Sequence, residues 1–96
     1  MTKESSSIDM LSIECDKHEI EIFHRKLGRK VQCLRQEKGL SQLELSYYIG
    51  FKSTSLIAGA ESGYKNIKFS IEHLYKIAKV LDINVKEFFE ESDEKV

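Results

Sequence analysis

The sequence predicts an all-α fold, on three observations. Its 96 residues contain no proline and only five glycines, so little interrupts regular helix. Between residues 20 and 34 apolar side chains recur every three or four positions, as one face of a helix requires. Residues that favour helix N-caps (Ser41, Ser53, Ser70 and Asn84) stand just ahead of each later apolar run. With hydrophobic residues at 41%, the chain can build one compact domain of roughly 65–80 residues plus tails.

The elements follow in order. Residues 1–7 are polar and expected to be disordered. Residues 8–15 fit a short helix or a strand equally well. Asp16 followed by Glu19 reads as a helix start, with Asp16 capping and Glu19 reaching back. Ile20, Phe23, Leu27, Val31 and Leu34 then line one face of a helix running to about Lys38, although the alternation Glu19-Ile20-Glu21-Ile22 also allows a strand at its start. Gly39 closes that helix, since glycine takes the left-handed conformation that caps helix carbonyls.

Ser41-Gln42-Leu43-Glu44 is a capping box opening a short helix over 42–49, with Leu45 and Ile49 inward and Gly50 as its stop. Ser53 is the expected cap of a second short helix over 54–61, with Ile57 and Ala60 inward and Ser62-Gly63 closing it. Residues 63–69 form a basic loop, in which Tyr64 and Phe69 are expected as small apolar anchors. Ser70 caps a further helix whose core face is Leu74, Ile77, Ala78 and Leu81. Asn84 with Glu87 forms another expected capping box, ahead of a last helix turning Val85 and Phe88 inward, with Phe89 as a third candidate. The expected layout is an N-terminal extension over 1–22 carrying a candidate dimerisation element, a helical domain over 23–90, and an acidic tail over 91–96.

Charge is distributed unevenly. The net charge of −1 argues against a generic nucleic-acid binder. Yet residues 1–23 carry −4, residues 24–69 carry +6 and residues 70–96 carry −3. The middle block is dense enough in Lys and Arg to neutralise phosphates and release counterions.

Other chemistries find little support. His18, His24 and His73 have no partner at catalytic or metal-ligating spacing, and no glycine-rich phosphate loop is present, so no enzyme, cofactor or metal is expected. Cys15 and Cys33 lack Cys-x-x-Cys spacing and read as two free thiols, at least one of them buried on a helix face. No apolar stretch approaches the ~20 residues of a membrane span, and residues 1–7 show no signal core. A cytoplasmic protein is expected.

Two short helices joined across Gly50-Phe51-Lys52 fit a helix-turn-helix, in which the second helix enters the major groove of DNA. The runs Leu27-Gly28-Arg29-Lys30-Val31 and Leu34-Arg35-Gln36-Glu37-Lys38-Gly39-Leu40-Ser41-Gln42-Leu43-Glu44-Leu45 resemble the opening of the Cro/C1-type (XRE-like) helix-turn-helix domain of phage repressors and bacterial regulators. Ala60-Glu61-Ser62-Gly63 resembles the close of its recognition helix, and Leu74 to Leu81 with Val85 to Phe89 resemble its fourth and fifth helices. The resemblance covers about residues 25–90. It implies a five-helix lambda-repressor-like DNA-binding domain, here with an N-terminal extension, and a two-fold homodimer on a palindromic site.

Carried onto this chain, Gln42 matches a phosphate-binding position. Arg35 and Glu61 match an architectural salt bridge. One residue more than usual lies between Gly50 and Glu61; we place it at Phe51-Lys52. The groove-facing residues are then Thr54, Ser55, Leu56, Ala58 and Gly59, with Ser53 at the cap as a further candidate DNA contact. None is an Arg, Asn or Gln, the side chains that read guanine or adenine strongly. Base readout is therefore expected to be modest, with phosphate contacts and DNA shape carrying more. Lys52, Lys65, Asn66 and Lys68 are the expected phosphate binders, with Arg25, Arg29 and Lys30 reaching the flanking backbone. Ser46 fills the family's small position, beside the atypical Tyr47 and Tyr48.

These residues imply a sequence-specific DNA-binding regulator, expected to act as a repressor. The alternative is a protein-interaction module on the same fold, such as an antitoxin or anti-repressor partner, binding through residues 8–23.

Overall fold

The computed structural model describes residues 14–91. The expectations for residues 1–13 and 92–96 lie outside that range. Four α-helices follow one another: α1 (Lys17–Glu37), α2 (Gln42–Tyr48), α3 (Ser55–Ser62) and α4 (Ile71–Leu81). A 3₁₀ turn at Tyr64–Asn66 links α3 to α4, and a 3₁₀ helix at Val85–Phe89 ends the domain.

Capping chemistry sets the boundaries. Asp16 accepts a hydrogen bond from the Glu19 amide at 3.0 Å and starts α1. The helix ends in a double bond pattern around Gly39 (φ 76): the Gly39 amide donates to Gln36, and the Leu40 amide to Arg35. At α2 the Ser41 hydroxyl accepts from the Glu44 amide at 3.0 Å, while the Glu44 carboxylate accepts from the Ser41 amide at 2.8 Å. The same reciprocal geometry opens α4 with an unexpected partner. His73 Nδ1 accepts from the Ser70 amide at 3.0 Å, in the place a Glu or Gln usually takes.

Three local readings are corrected. α3 is capped at Thr54 rather than Ser53, and Thr54 makes no side-chain cap bond; the Ser53 hydroxyl instead accepts weakly from the Ser55 amide at 3.3 Å. The last helix is 3₁₀: the Asn84 side chain accepts from the Lys86 amide at 2.9 Å and the Asn84 carbonyl from the Glu87 amide at 2.9 Å, so the expected side-chain box with Glu87 does not form. Cys15 and Cys33 are both exposed free thiols: Cys15 precedes α1, and Cys33 sits off its apolar stripe.

The core draws on every helix: Leu27 and Val31 from α1, Leu45 and Ile49 from α2, Ile57 and Ala60 from α3, and Leu74, Ile77, Ala78 and Leu81 from α4. Phe69 and Phe88 close its two ends. α1 and α3 cross at contact distance because Gly28 has no side chain; a β-carbon there would overlap the Ala60 carbonyl oxygen. α1 also runs unbroken through residue 22, so the boundary between extension and domain falls inside a continuous helix. Its first turns expose Ile20, Ile22 and Phe23, the last at 52%. No helix among the described residues is long and apolar enough to cross a membrane.

Candidate nucleic-acid interface

The turn between α2 and α3 is built by backbone geometry. Gly50 takes φ 98, a left-handed value that costs L side chains energy, and the Phe51 amide donates back to the Ser46 carbonyl at 2.9 Å. This reverses the chain tightly enough for α3 to cross α2 and pack over α1. The α3 sequence then divides by face. Ile57, Gly59, Ala60 and Glu61 are buried; Thr54, Leu56 and Ala58 are half-buried; Ser55 and Ser62 are exposed.

A buried ion pair fixes the far end of α3. Arg35 Nε donates to Glu61 Oε2 at 2.8 Å, and its second terminal nitrogen donates to Glu61 Oε1 at 2.9 Å. The remaining Arg35 nitrogen donates to the Leu40 carbonyl at 2.8 Å. The side chains of the pair are 7% and 1% exposed. Breaking such a pair from one side costs roughly 3–5 kcal/mol, because the other charge stays buried and uncompensated. Gln42 joins this group: its Nε2 donates to Glu61 Oε1 at 2.9 Å. One N–H of its amide is thus engaged within the protein, and the second N–H remains a donor.

Gly59 is placed differently from its expected groove-facing position. It is buried, and the Ile67 side chain lies over it, with Cδ1 2.5 Å from where a β-carbon would stand. The glycine admits Ile67 to the domain rather than DNA to the backbone. Leu56 likewise turns partly inward, against the core. The surface α3 offers is therefore short and smooth: Thr54, Ser55, Ala58 and Ser62, with the edge of Leu56.

The lysines surround that surface. Lys52 and Ser53 are exposed in the turn before α3. Lys65, Asn66 and Lys68 are exposed on the loop after it. That loop is held by an unusual backbone: Gly63, Lys65 and Asn66 all have positive φ, at 80, 51 and 59 degrees. Lys65 Nζ sits 5.4 Å from the Tyr64 ring centroid, and Lys68 Nζ donates to the Asn66 carbonyl at 3.3 Å. Tyr64 itself is 60% exposed, so of the two expected anchors only Phe69 enters the core. His24 of α1 lines the back of the loop with Glu21, Arg25 and Lys68. Burial, and then the Lys68 ammonium, hold its imidazole below the usual histidine value.

Sequence reading missed the Ser70–His73 cap, the ring contact of Phe51 with His73 at 5.7 Å, and Ile67 as the partner of Gly59. A Ser-x-x-His spacing was the only available signal for the first.

Comparison with known proteins agrees with this arrangement. A helix-turn-helix family model matches residues 34–88. Among solved structures, the restriction-modification controller protein C.AhdI from Aeromonas hydrophila aligns with a TM-score of 0.64 at 34% identity, covering 71% of this chain and 98% of that one. No curated protein sequence matches the chain.

Proposed function

This chain belongs to the Cro/C1-type (XRE) family of helix-turn-helix transcriptional regulators, which bind DNA, and from that premise we propose that it places α3 in the major groove of a specific duplex site and acts as a repressor. The observation that carries the reading is a short, solvent-facing α3 surface with exposed lysines on both sides, at Lys52 before it and at Lys65 and Lys68 after it. Thr54 and Ser55 hydrogen-bond base edges or phosphates, and Ala58 lets the helix sit close. Lys52, Lys65, Asn66 and Lys68 hold the two flanking backbones. Arg35, Glu61 and Gln42 set the angle of α3 through their shared hydrogen bonds.

The working unit is a homodimer on a two-fold site, formed by the domain over 23–90, with the extension over 1–22 supplying contact area and the tail over 91–96 remaining acidic. The protein acts in the cytoplasm. Repression follows from occupying a promoter.

Selection of bound duplexes from a random library tests the reading, followed by titration of the selected site against a scrambled one. The expected result is one enriched two-fold motif, with affinity that falls steeply as salt rises. A library that yields no enrichment, with no low-salt binding to any duplex, overturns it. A second reading, capture of a protein partner through residues 8–23, is favoured by the exposed Ile20, Ile22 and Phe23.

A further inference from the structure

We propose that Arg25 and Arg29 of α1 form a backbone clamp, a phosphodiester-binding cleft that extends the interface beyond the helix-turn-helix motif. The proposal rests on the DNA-binding reading above and deepens it.

α1 passes beside α3, and a cleft of about 350 Å³ opens between them. Arg25, Arg29 and Gln32 line it from α1, Gln42 from the start of α2, and Ala58 and Ser62 from α3. Ala58 and Ser62 belong to the same outward side of α3 as Thr54 and Ser55, so the cleft is continuous with the proposed groove-facing surface. The two arginines are four residues apart, hence neighbours on one helix face. Both are exposed, and neither is ion-paired among the described residues.

The one acid in the cleft, Glu61, is already occupied. Its oxygens accept from Arg35 and from Gln42, which leaves two uncompensated guanidinium charges over a neutralised floor. Arg25 is also steered: its Cγ and Cδ lie against Gly63, 3.2 Å from where a β-carbon would stand, so its stem rests on the end of α3. A planar guanidinium offers paired N–H donors that match two phosphate oxygens, which an ammonium does not. Lys30 does not line the cleft, although it lies one residue from Arg29. Both arginines precede residue 34, where the family-model match begins.

Fluorescence anisotropy on the selected duplex, from about 50 to about 200 mM salt, tests the clamp. Each phosphate neutralised contributes about 0.9 to the slope of log K against log salt. R25Q/R29Q is expected to lose about 1.8 from that slope, R29Q alone about 0.9, and K30Q nothing, with base preference unchanged in all three. R25K/R29K is expected to keep the slope but bind more weakly. A wild-type slope in a folded R25Q/R29Q protein overturns the clamp, as does an equal loss in K30Q or a change of base preference. A wild-type chain that binds no duplex at all defeats the DNA-binding reading itself, a result separate from a wild-type chain that binds with these arginines indifferent.

Discussion

The Ile67 side chain fills the space that any β-carbon on Gly59 would need. Two residues on opposite sides of the Gly63 turn are thereby locked together, and the loop carrying Lys65 and Lys68 is pinned to the flank of α3. G59A gains helix propensity of about 1 kcal/mol but forces Ile67 aside, an overpacking cost of about 1–3 kcal/mol. The net expectation is a loss of about 1 kcal/mol in chemical denaturation. I67V removes the nearest atom, so G59A/I67V should recover most of it. A G59A protein more stable than wild type would mean that Ile67 moves freely.

The Arg35–Glu61 pair makes a different prediction. R35M strands a carboxylate and should cost about 3–5 kcal/mol; so should E61M, which strands the guanidinium. The double variant R35M/E61M leaves no buried charge and should be less destabilised than either single one. Additive losses in a urea double-mutant cycle would contradict a coupled pair.

Charge reversal on the loop probes the interface. K65E/K68E should weaken duplex binding and flatten its salt dependence by roughly the two phosphates lost, about 1.8 in slope. Circular dichroism should be unchanged, because both side chains are exposed. A slope equal to wild type would remove the loop from the interface.

Ser46 is fully buried, and its hydroxyl has no hydrogen-bond partner. S46A should therefore raise stability, by about 1 kcal/mol, as a buried unsatisfied group is removed without opening a large cavity. Thermal unfolding of the two proteins at one pH decides this.

His24 links stability to pH. Its imidazole lies below the usual value of 6.5 because it is desolvated and faces Lys68. The unfolded chain therefore takes up this proton first as pH falls. Stability from this group is whole above about 6.5, declines below it, and levels off once the folded-state value is passed. H24Q should flatten that part of a stability–pH profile. Glu21, Arg25 and Lys68 also face this site and are retained in the variant.

How much of this was legible in the sequence depended on how local the cause was. The α1 stripe, the Gly39 stop and the Ser41–Glu44 box are properties of a few adjacent residues, and each appears in the fold. The Arg35–Glu61 pair spans 26 residues and came only from family resemblance, since nothing in the spacing requires it. Gly59 was misplaced for the same reason: its partner lies on a loop whose course depends on positive φ at Lys65 and Asn66, positions where no glycine advertises the bend. Thr54 displaced Ser53 as the cap because the extra residue in the turn shifts where α3 can begin, and hydroxyls at 53, 54 and 55 gave no way to choose.

The unbroken course of α1 has an angular consequence. Its residues advance about 100° each, with no hinge between Lys17 and the Gly28–Ala60 crossing. The segment over residues 17–19 is therefore held in fixed rotational phase with α3. A single residue inserted near position 20 would swing that segment by more than a quarter turn while leaving the core untouched. Any neighbour that touches both parts would register the change as a twist, not as a loss of fold.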